Sequence, residues 1–382
     1  MNAKPRILTS LADVSAVAWD ALANPTAEAF NPFVSHAFLL AMEKSGSADT
    51  KTGWSPCHVV LEDGGKAVAA APCYLKSHSR GEYVFDHGWA DAFTRAGGRY
   101  YPKLQASVPF SPVTAPKLLA PTPKLRVALA QELLALCKTQ KASSIHITFA
   151  LAGDAEALPG PAWLERNDIQ FHWLNAGYKT FDDFLAALSS SKRKNLRKER
   201  QAVRDQGLTF LALTGDEIKP EHWDHFWEFY LDTGNRKWGQ PYLTRSFFTM
   251  LHDHLRQHVL LVLAQRGGKF IAGALNLIGG DTLYGRNWGC IEQHSFLHFE
   301  TCYYQAIDFA IARGLRVVEA GAQGEHKLAR GYVPVKTRSF HHLAHPGLQR
   351  AVADYLEHER AAIAEGQQEL AAHAPFRQAE QE

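Results

Sequence analysis

A chain of 382 residues with 46% hydrophobic and 21% charged residues has the balance of a globular protein of about two domains. Its formal charge of +2 excludes a chain coated in basic residues, so any nucleic-acid contact has to come from a local patch. Five cysteines, an odd number with no C-x-x-C pair, argue against a disulfide framework and against a zinc site. There is no basic-then-apolar leader and no apolar run near the roughly 18 residues that span a bilayer, so the expected location is cytoplasmic, without stable membrane insertion.

From the start, Arg6 to Ser10 reads as a strand, the segment around Val14 to Leu22 as a helix, and His36 to Lys44 as a second helix after Asn31-Pro32. The glycine-rich turn Glu62-Asp63-Gly64-Gly65-Lys66 lies between the apolar runs Cys57–Leu61 and Ala67–Ala71, which predicts a β-hairpin. Another strand is expected at Glu82 to Asp86. The prolines between His87 and Pro123 exclude a regular helix there on this reading. Val127 to Lys138 has helical apolar spacing, Ser144 to Phe149 reads as the following strand, and Ala152 to Pro161 as a linker.

The second half then repeats the first at an offset near 200 residues. Thr214 precedes Trp223-Asp224 as Ser10 precedes Trp19-Asp20, Pro241–Thr244 matches Pro32–Ser35, and Gly267-Gly268-Lys269 matches Gly64-Gly65-Lys66. A unit this long is a duplicated domain, since solenoid units run to roughly 20 to 50 residues. Each copy has the order strand, two helices, hairpin, strand, helix, strand, which is that of the acyl-CoA N-acyltransferase fold. The expected class is therefore α/β with mixed sheets, a tandem pair of acyl-CoA N-acyltransferase-like domains. Residues 1–160 form the first, 161–207 a connecting strand and basic helix, and 208–382 the second, which carries the site.

The connecting helix begins in Ser189-Ser190-Ser191 and stops at Gly207. Lys192, Arg193, Lys194, Arg197, Lys198, Arg200 and Arg204 on it face only Glu199 and Asp205. Such a run also reads as a solvated face. Cations crowded at a helix start oppose its dipole, however, and a bound phosphate would relieve the conflict.

The richest stretch runs from Tyr284 to Tyr332. A strand (Leu283 to Trp288), a loop (Gly289 to Ser295), a helix (Phe296 to Arg313) stopped at Gly314, and a short strand (Arg316 to Glu319) lead into Ala320 to Tyr332. There Gly321, Gly324 and Gly331 alternate with Glu325, His326, Lys327 and Arg330. The helical stripe Phe299, Tyr303, Ile307, Ala310 reads as core. His294 and His298 would pair on a metal only if their loop were helical, so no metal site is expected.

With Tyr100–Leu104, Val108–Pro112, Tyr284-Gly285-Arg286, His298-Phe299-Glu300 and Gly321–Tyr332 in view, the chain resembles the FemAB-like domain family over nearly its whole length. The resemblance implies two acyltransferase-like domains and an aminoacyl transfer onto an amine of a peptidoglycan or cell-envelope precursor, such as a muropeptide. It implies phosphate binding by Lys192, Arg193 and Arg197, and an active-site lysine at Lys327, upstream of Gly331-Tyr332. The segment from Phe181 to Gly207 is too short for the tRNA-binding coiled-coil arm of one Fem subclass. The Gln/Arg-x-x-Gly-x-Gly/Ala coenzyme A loop is not found where the second copy would carry it.

Acyl transfer to an amine needs a base, an oxyanion stabiliser and an acid for the leaving group. Glu300, Glu325 and His326 are the expected acids and bases, and Lys327 the expected catalytic cation. Arg330 and Arg286 are expected substrate contacts, as are Asp86 and His87 in the first copy. Glu300 is also a candidate for an internal ion pair, with Arg286 the nearest partner by strand order. No tightly bound cofactor is expected, and the donor is either aminoacyl-tRNA or acyl-CoA. Three functions stay open: a Fem-like aminoacyltransferase with tRNA contacting the basic helix, an acyl-CoA-dependent N-acyltransferase of a phosphorylated or other amine-bearing small molecule, and a non-catalytic protein that binds phosphate or cell-wall ligands.

Overall fold

The computed structural model describes residues 3–237, 241–321, 324–373 and 375–377, with the side chains at 235, 237 and 325 outside that description. The chain forms two compact units. The first comprises Met1–Asp168, Tyr242–Phe247 and Lys336–Glu365, the second Ile169–Pro241, Phe248–Val335 and Gly366–Glu382. Neither is continuous in sequence. Two pieces expected within 208–382 fold instead with the first unit, and boundaries fall inside the strands Leu164–Leu174 and Tyr332–Leu343 and inside the helices Arg245–Leu255 and Pro346–Ala372.

In the first unit the strands Lys4–Leu8, His58–Asp63 and Lys66–Ala71 form a small antiparallel sheet. Its hairpin turns on Gly64 and Gly65, both with positive φ (59° and 76°), the conformation a two-residue turn between twisted strands requires. A second sheet contains Trp54–Pro56, Tyr74–Lys76, Lys103–Ala106, Ser144–Ile147 and the end of Tyr332–Leu343. Lys103–Ala106 and Ser144–Ile147 run parallel, and the helix Pro123–Thr139 makes the crossover that a parallel pair needs. That helix buries Leu125, Leu129 and Leu133 beside Ile145 and Ile147, each contributing about 1.5–3 kcal/mol by removal from water.

The second unit repeats this plan in one sheet. Leu208–Thr214, Val259–Arg266, Lys269–Ile278 and Thr282–Cys290 are successively antiparallel. Thr282–Cys290 runs parallel to Val317–Glu319 with the helix Gln305–Arg313 between them in sequence, and Val317–Glu319 pairs antiparallel with His172–Leu174. The Gly267-Gly268 hairpin has the same positive φ pair, 56° and 78°. The duplication seen in the sequence is thus a repeated topology. The helix starts of the two sequence copies match as well, since Ser35 caps its helix by accepting from the N–H of Phe38 and Thr244, in the piece that folds with the first unit, by accepting from that of Phe247. The copies differ in one respect: the first unit's hairpin lies in a separate sheet, whereas the second unit's is continuous with the strands of the site.

Three local expectations give way to tertiary packing. Glu82 to Asp86 is irregular, because the buried ammonium of Lys103 draws in both carboxylates, Glu82 at 2.6 Å and Asp86 at 2.5 Å. His87–Arg95 is a helix; the first proline of that segment, Pro102, lies beyond its end and constrains only its own neighbours. Within Ala152 to Pro161, Asp154, Ala155, Ala157 and Leu158 are buried, while Pro159, Gly160 and Pro161 are exposed. The Ala152–Glu156 turn buries Asp154, whose carboxylate accepts from the backbone N–H groups of Lys117, Leu118 and Leu151.

Candidate active site

In the second unit, Lys269–Ile278 and Thr282–Cys290 slip register: Leu275 faces Asn287 while Asn276 faces Gly285, which leaves Arg286 as an extra residue on its strand. Such a bulge bends the strand and re-aims a side chain. Beside it opens a cleft of about 100 Å³, whose lining includes Arg286, Trp288, His298, Cys302, Tyr303 and Ala320. The Arg286 guanidinium donates to Glu319 at 2.6 Å and to the Gly285 carbonyl at 2.8 Å. Glu319 is buried, and His172 approaches it from the next strand at 4.0 Å.

The wall opposite comes from the segment expected as one helix from Phe296 to Arg313. It is helical at Leu297–Phe299, takes a π turn over Glu300–Tyr304, and continues as an α-helix over Gln305–Arg313 to Gly314, where φ is 66°. The π turn distributes consecutive side chains to different partners. Glu300 points to Arg200, accepting two hydrogen bonds at 2.8 and 3.2 Å, and accepts a third from Gln305. Arg200 also donates to Asp308 at 2.6 Å. Tyr304 donates to Glu199. Cys302 and Tyr303 face the cleft.

These contacts correct the sequence reading of Glu300. It is 3% exposed, outside the cleft lining, and its partner is Arg200, not Arg286. Arg330 is committed in the same way. It pairs with Glu199 at 2.8 Å, donates to the His326 carbonyl, and lies 3.4 Å over the Phe299 ring.

The loop after Val317–Glu319 forms a short 3₁₀ turn, Glu325–Arg330. Lys327 is buried and donates to the carbonyls of Ala320 at 2.6 Å and Gly321 at 3.2 Å, so its ammonium backs the cleft wall that Ala320 forms. Burial pushes its pKa down to about 8. His326 lies within 3.0 Å of the Tyr303 hydroxyl through Nε2, and partial burial together with the nearby Arg330 and Lys327 holds its pKa below the usual imidazole value. Gly324 and Gly331 serve packing. Gly324 has φ 105° and a Cβ there would meet His326 at 2.3 Å, while at Gly331 (φ 87°) it would meet Phe184 at 2.5 Å. The Glu325 side chain lies outside the described residues. Among the described residues no group of three or more His, Cys, Asp and Glu side chains could hold a metal ion.

The sequence profile of the FemAB-like family, described as peptidoglycan biosynthesis/recognition, matches residues 10–378. The chain belongs to this family. Among solved structures it is similar to FemX, at 12% identity over 89% of this chain and 98% of that one with a TM-score of 0.56. A conserved protein of unknown function from Bacteroides thetaiotaomicron is similar at 13% identity over 90% and 99%, with a TM-score of 0.53. A tandem GNAT protein from the clavulanic acid pathway matches at 11% identity over 90% and 99%, with a TM-score of 0.47. Among curated proteins none matches the sequence. The fold is thus a tandem pair of acyltransferase-like domains, and the family is one of peptidoglycan biosynthesis or recognition.

In this FemAB-like chain the basic helix is present as Ser190–Asp205, with Leu196 and Val203 as its buried side. Its inward-facing charged pair is Glu199 and Arg200, which the sequence reading had not singled out. Arg197 is exposed and pairs with Asp182 at 3.1 Å, and Lys192 and Arg193 are half-buried. None of the three lines the cleft. Asp86 and His87 belong to the first unit. Asp86 is buried with Lys103 and the Tyr100 hydroxyl, which corrects its reading as a substrate contact, and exposed His87 stacks on Phe85. No helix among the described residues is long and apolar enough to cross a membrane.

The site residues missed by sequence reasoning are Tyr303, Trp288, Cys302 and Glu319. Tyr303 does sit in the core stripe read from the sequence, but the π turn also brings its hydroxyl to the cleft. The only signal available was the density of aromatic and titratable residues between Trp288 and Tyr304.

Proposed function

We propose that this protein is a Fem-like N-acyltransferase that moves an acyl or aminoacyl group onto an amine in the cleft of its second unit. The observation that carries the reading is the convergence of the Arg286 guanidinium, the Tyr303 phenol and the His298 imidazole around one concave site at a strand bulge, inside a family tied to peptidoglycan biosynthesis or recognition. Arg286 forms part of the cleft wall with its guanidinium held by Glu319 and the Gly285 carbonyl, so it is suited to contact and orient the substrate. Lys327 supports the wall at Ala320 and Gly321 and supplies a positive field behind it. The exposed cations of Ser190–Asp205 suit phosphate, whether on a nucleotide-linked precursor or on tRNA. The donor is aminoacyl-tRNA or acyl-CoA, and the acceptor an amine such as that of a muropeptide.

The test is mass spectrometry of ligands carried through purification, followed by screens of aminoacyl-tRNA and acyl-CoA donors against amine acceptors. Transfer to an amine supports the reading. A second reading, recognition of a cell-wall ligand without chemistry, draws support from the commitment of Glu300 and Arg330 to internal ion pairs. It is favoured if a precursor co-purifies and no donor is consumed.

A further inference from the structure

We infer that Tyr303 is the residue that takes the proton from the attacking amine, passing its own phenolic proton to His326, which returns it to water. The inference rests on the transferase reading above and assigns a proton path within it. Tyr303 lines the cleft, and its hydroxyl lies 3.0 Å from His326 Nε2. His326 itself is solvent-exposed and does not line the cleft. The phenol therefore stands between the reacting centre and a base that reaches water.

The relay uses the His326 tautomer in which Nε2 accepts the phenol proton, one of the two that the 3.0 Å contact admits. Burial raises the Tyr303 pKa, so the phenol is neutral at physiological pH, while His326 is held below the usual imidazole value and is neutral as well. A phenol proton directed at Nε2 leaves an oxygen lone pair free to accept from the cleft. The groups around the His326 ring are Tyr303 and the Phe299 ring from the preceding helical segment, His298 at 6.3 Å between ring centroids, and the cations Lys327 and Arg330 of its own turn. Both cations oppose a lasting imidazolium, which favours return of the proton to water.

The step balances. The amine nitrogen forms a bond to the carbonyl carbon of an ester or thioester, and the bond from that carbon to the leaving oxygen or sulfur breaks. The proton lost by nitrogen goes to Tyr303 Oη as the phenolic proton moves to Nε2. The leaving group exits as alkoxide or thiolate and collects a proton from water, to which His326 returns its own. The products are amide and alcohol or thiol.

The test combines kinetics with nitrogen NMR. On the donor and amine pair found active for the wild type, Tyr303→Phe should lower kcat by about 100-fold, the scale of a general base, with KM within about twofold. The wild-type rate should fall on the acid side as His326 protonates, and Tyr303→Phe and His326→Gln should both lack that limb. In the neutral ring the ¹⁵N shifts of His326 should show Nε2 unprotonated and Nδ1 carrying the hydrogen. A Tyr303→Phe variant as fast as wild type with the same acid limb, or a neutral ring protonated at Nε2, overturns the relay while leaving the transferase reading intact. A wild type that transfers nothing from either donor class sinks both, and the nitrogen shifts still report the tautomer by themselves.

Discussion

Glu300→Gln separates a catalytic role from a structural one at the residue where sequence and structure disagree most. The carboxylate is 3% exposed and accepts from Arg200 twice and from Gln305 once. The amide keeps one acceptor and removes the charge, so Arg200 is left with Asp308 as its remaining anionic partner. Breaking a buried ion pair costs about 3–5 kcal/mol. Arg200 is 17% exposed and Asp308 stays in place, which brings the expected loss to about 2 kcal/mol. For a unit of this size that lowers the melting temperature by about 4–8 °C. Urea unfolding followed by tryptophan fluorescence should show a lower midpoint with an unchanged slope. An unchanged midpoint accompanied by a large loss of transfer would refute the structural assignment and restore Glu300 as an acid or base.

Three further outcomes follow from the geometry. Gly324→Ala forces a Cβ to within 2.3 Å of His326 at φ 105°, and should destabilise by about 1–3 kcal/mol while displacing the ring from Tyr303, read as a changed His326 resonance. Lys327 holds its proton less readily folded, near pH 8, than at its ordinary value of 10.5. The unfolded chain therefore binds more protons between those values, stability from this group rises with pH across that window, and Lys327→Met should flatten the rise in a pH series of urea midpoints. Arg193→Ala with Arg197→Ala removes only exposed or half-buried charge, and the Arg197–Asp182 pair contributes about 0–1 kcal/mol. That double variant should melt within about 3 °C of wild type while binding tRNA or a phosphorylated precursor more weakly, with a shallower salt dependence. Unchanged binding would mark the helix as a solvated face.

What the sequence determined by itself was local structure and kinship. The paired glycines of both hairpins, the capping Ser35 and the stop at Gly314 act over three or four residues, a range that residue type alone governs. The offset near 200 residues carried the duplication, and a set of motifs from Tyr100–Leu104 to Gly321–Tyr332 carried the family resemblance. Partners far apart in sequence were settled only by tertiary packing. Arg200 and Glu300 lie 100 positions apart and Arg330 and Glu199 131 apart, and no periodicity links them. Strand order suggested Arg286 for Glu300, but the bulge turns Arg286 toward Glu319 and the π turn carries Glu300 to the basic helix. The same turn brings Tyr303 to the cleft, because one added residue per turn rotates the side chains that follow. Hydrophobic spacing read at the α-helical period has no term for that rotation, so it found Tyr303 as core and could not find it as a site.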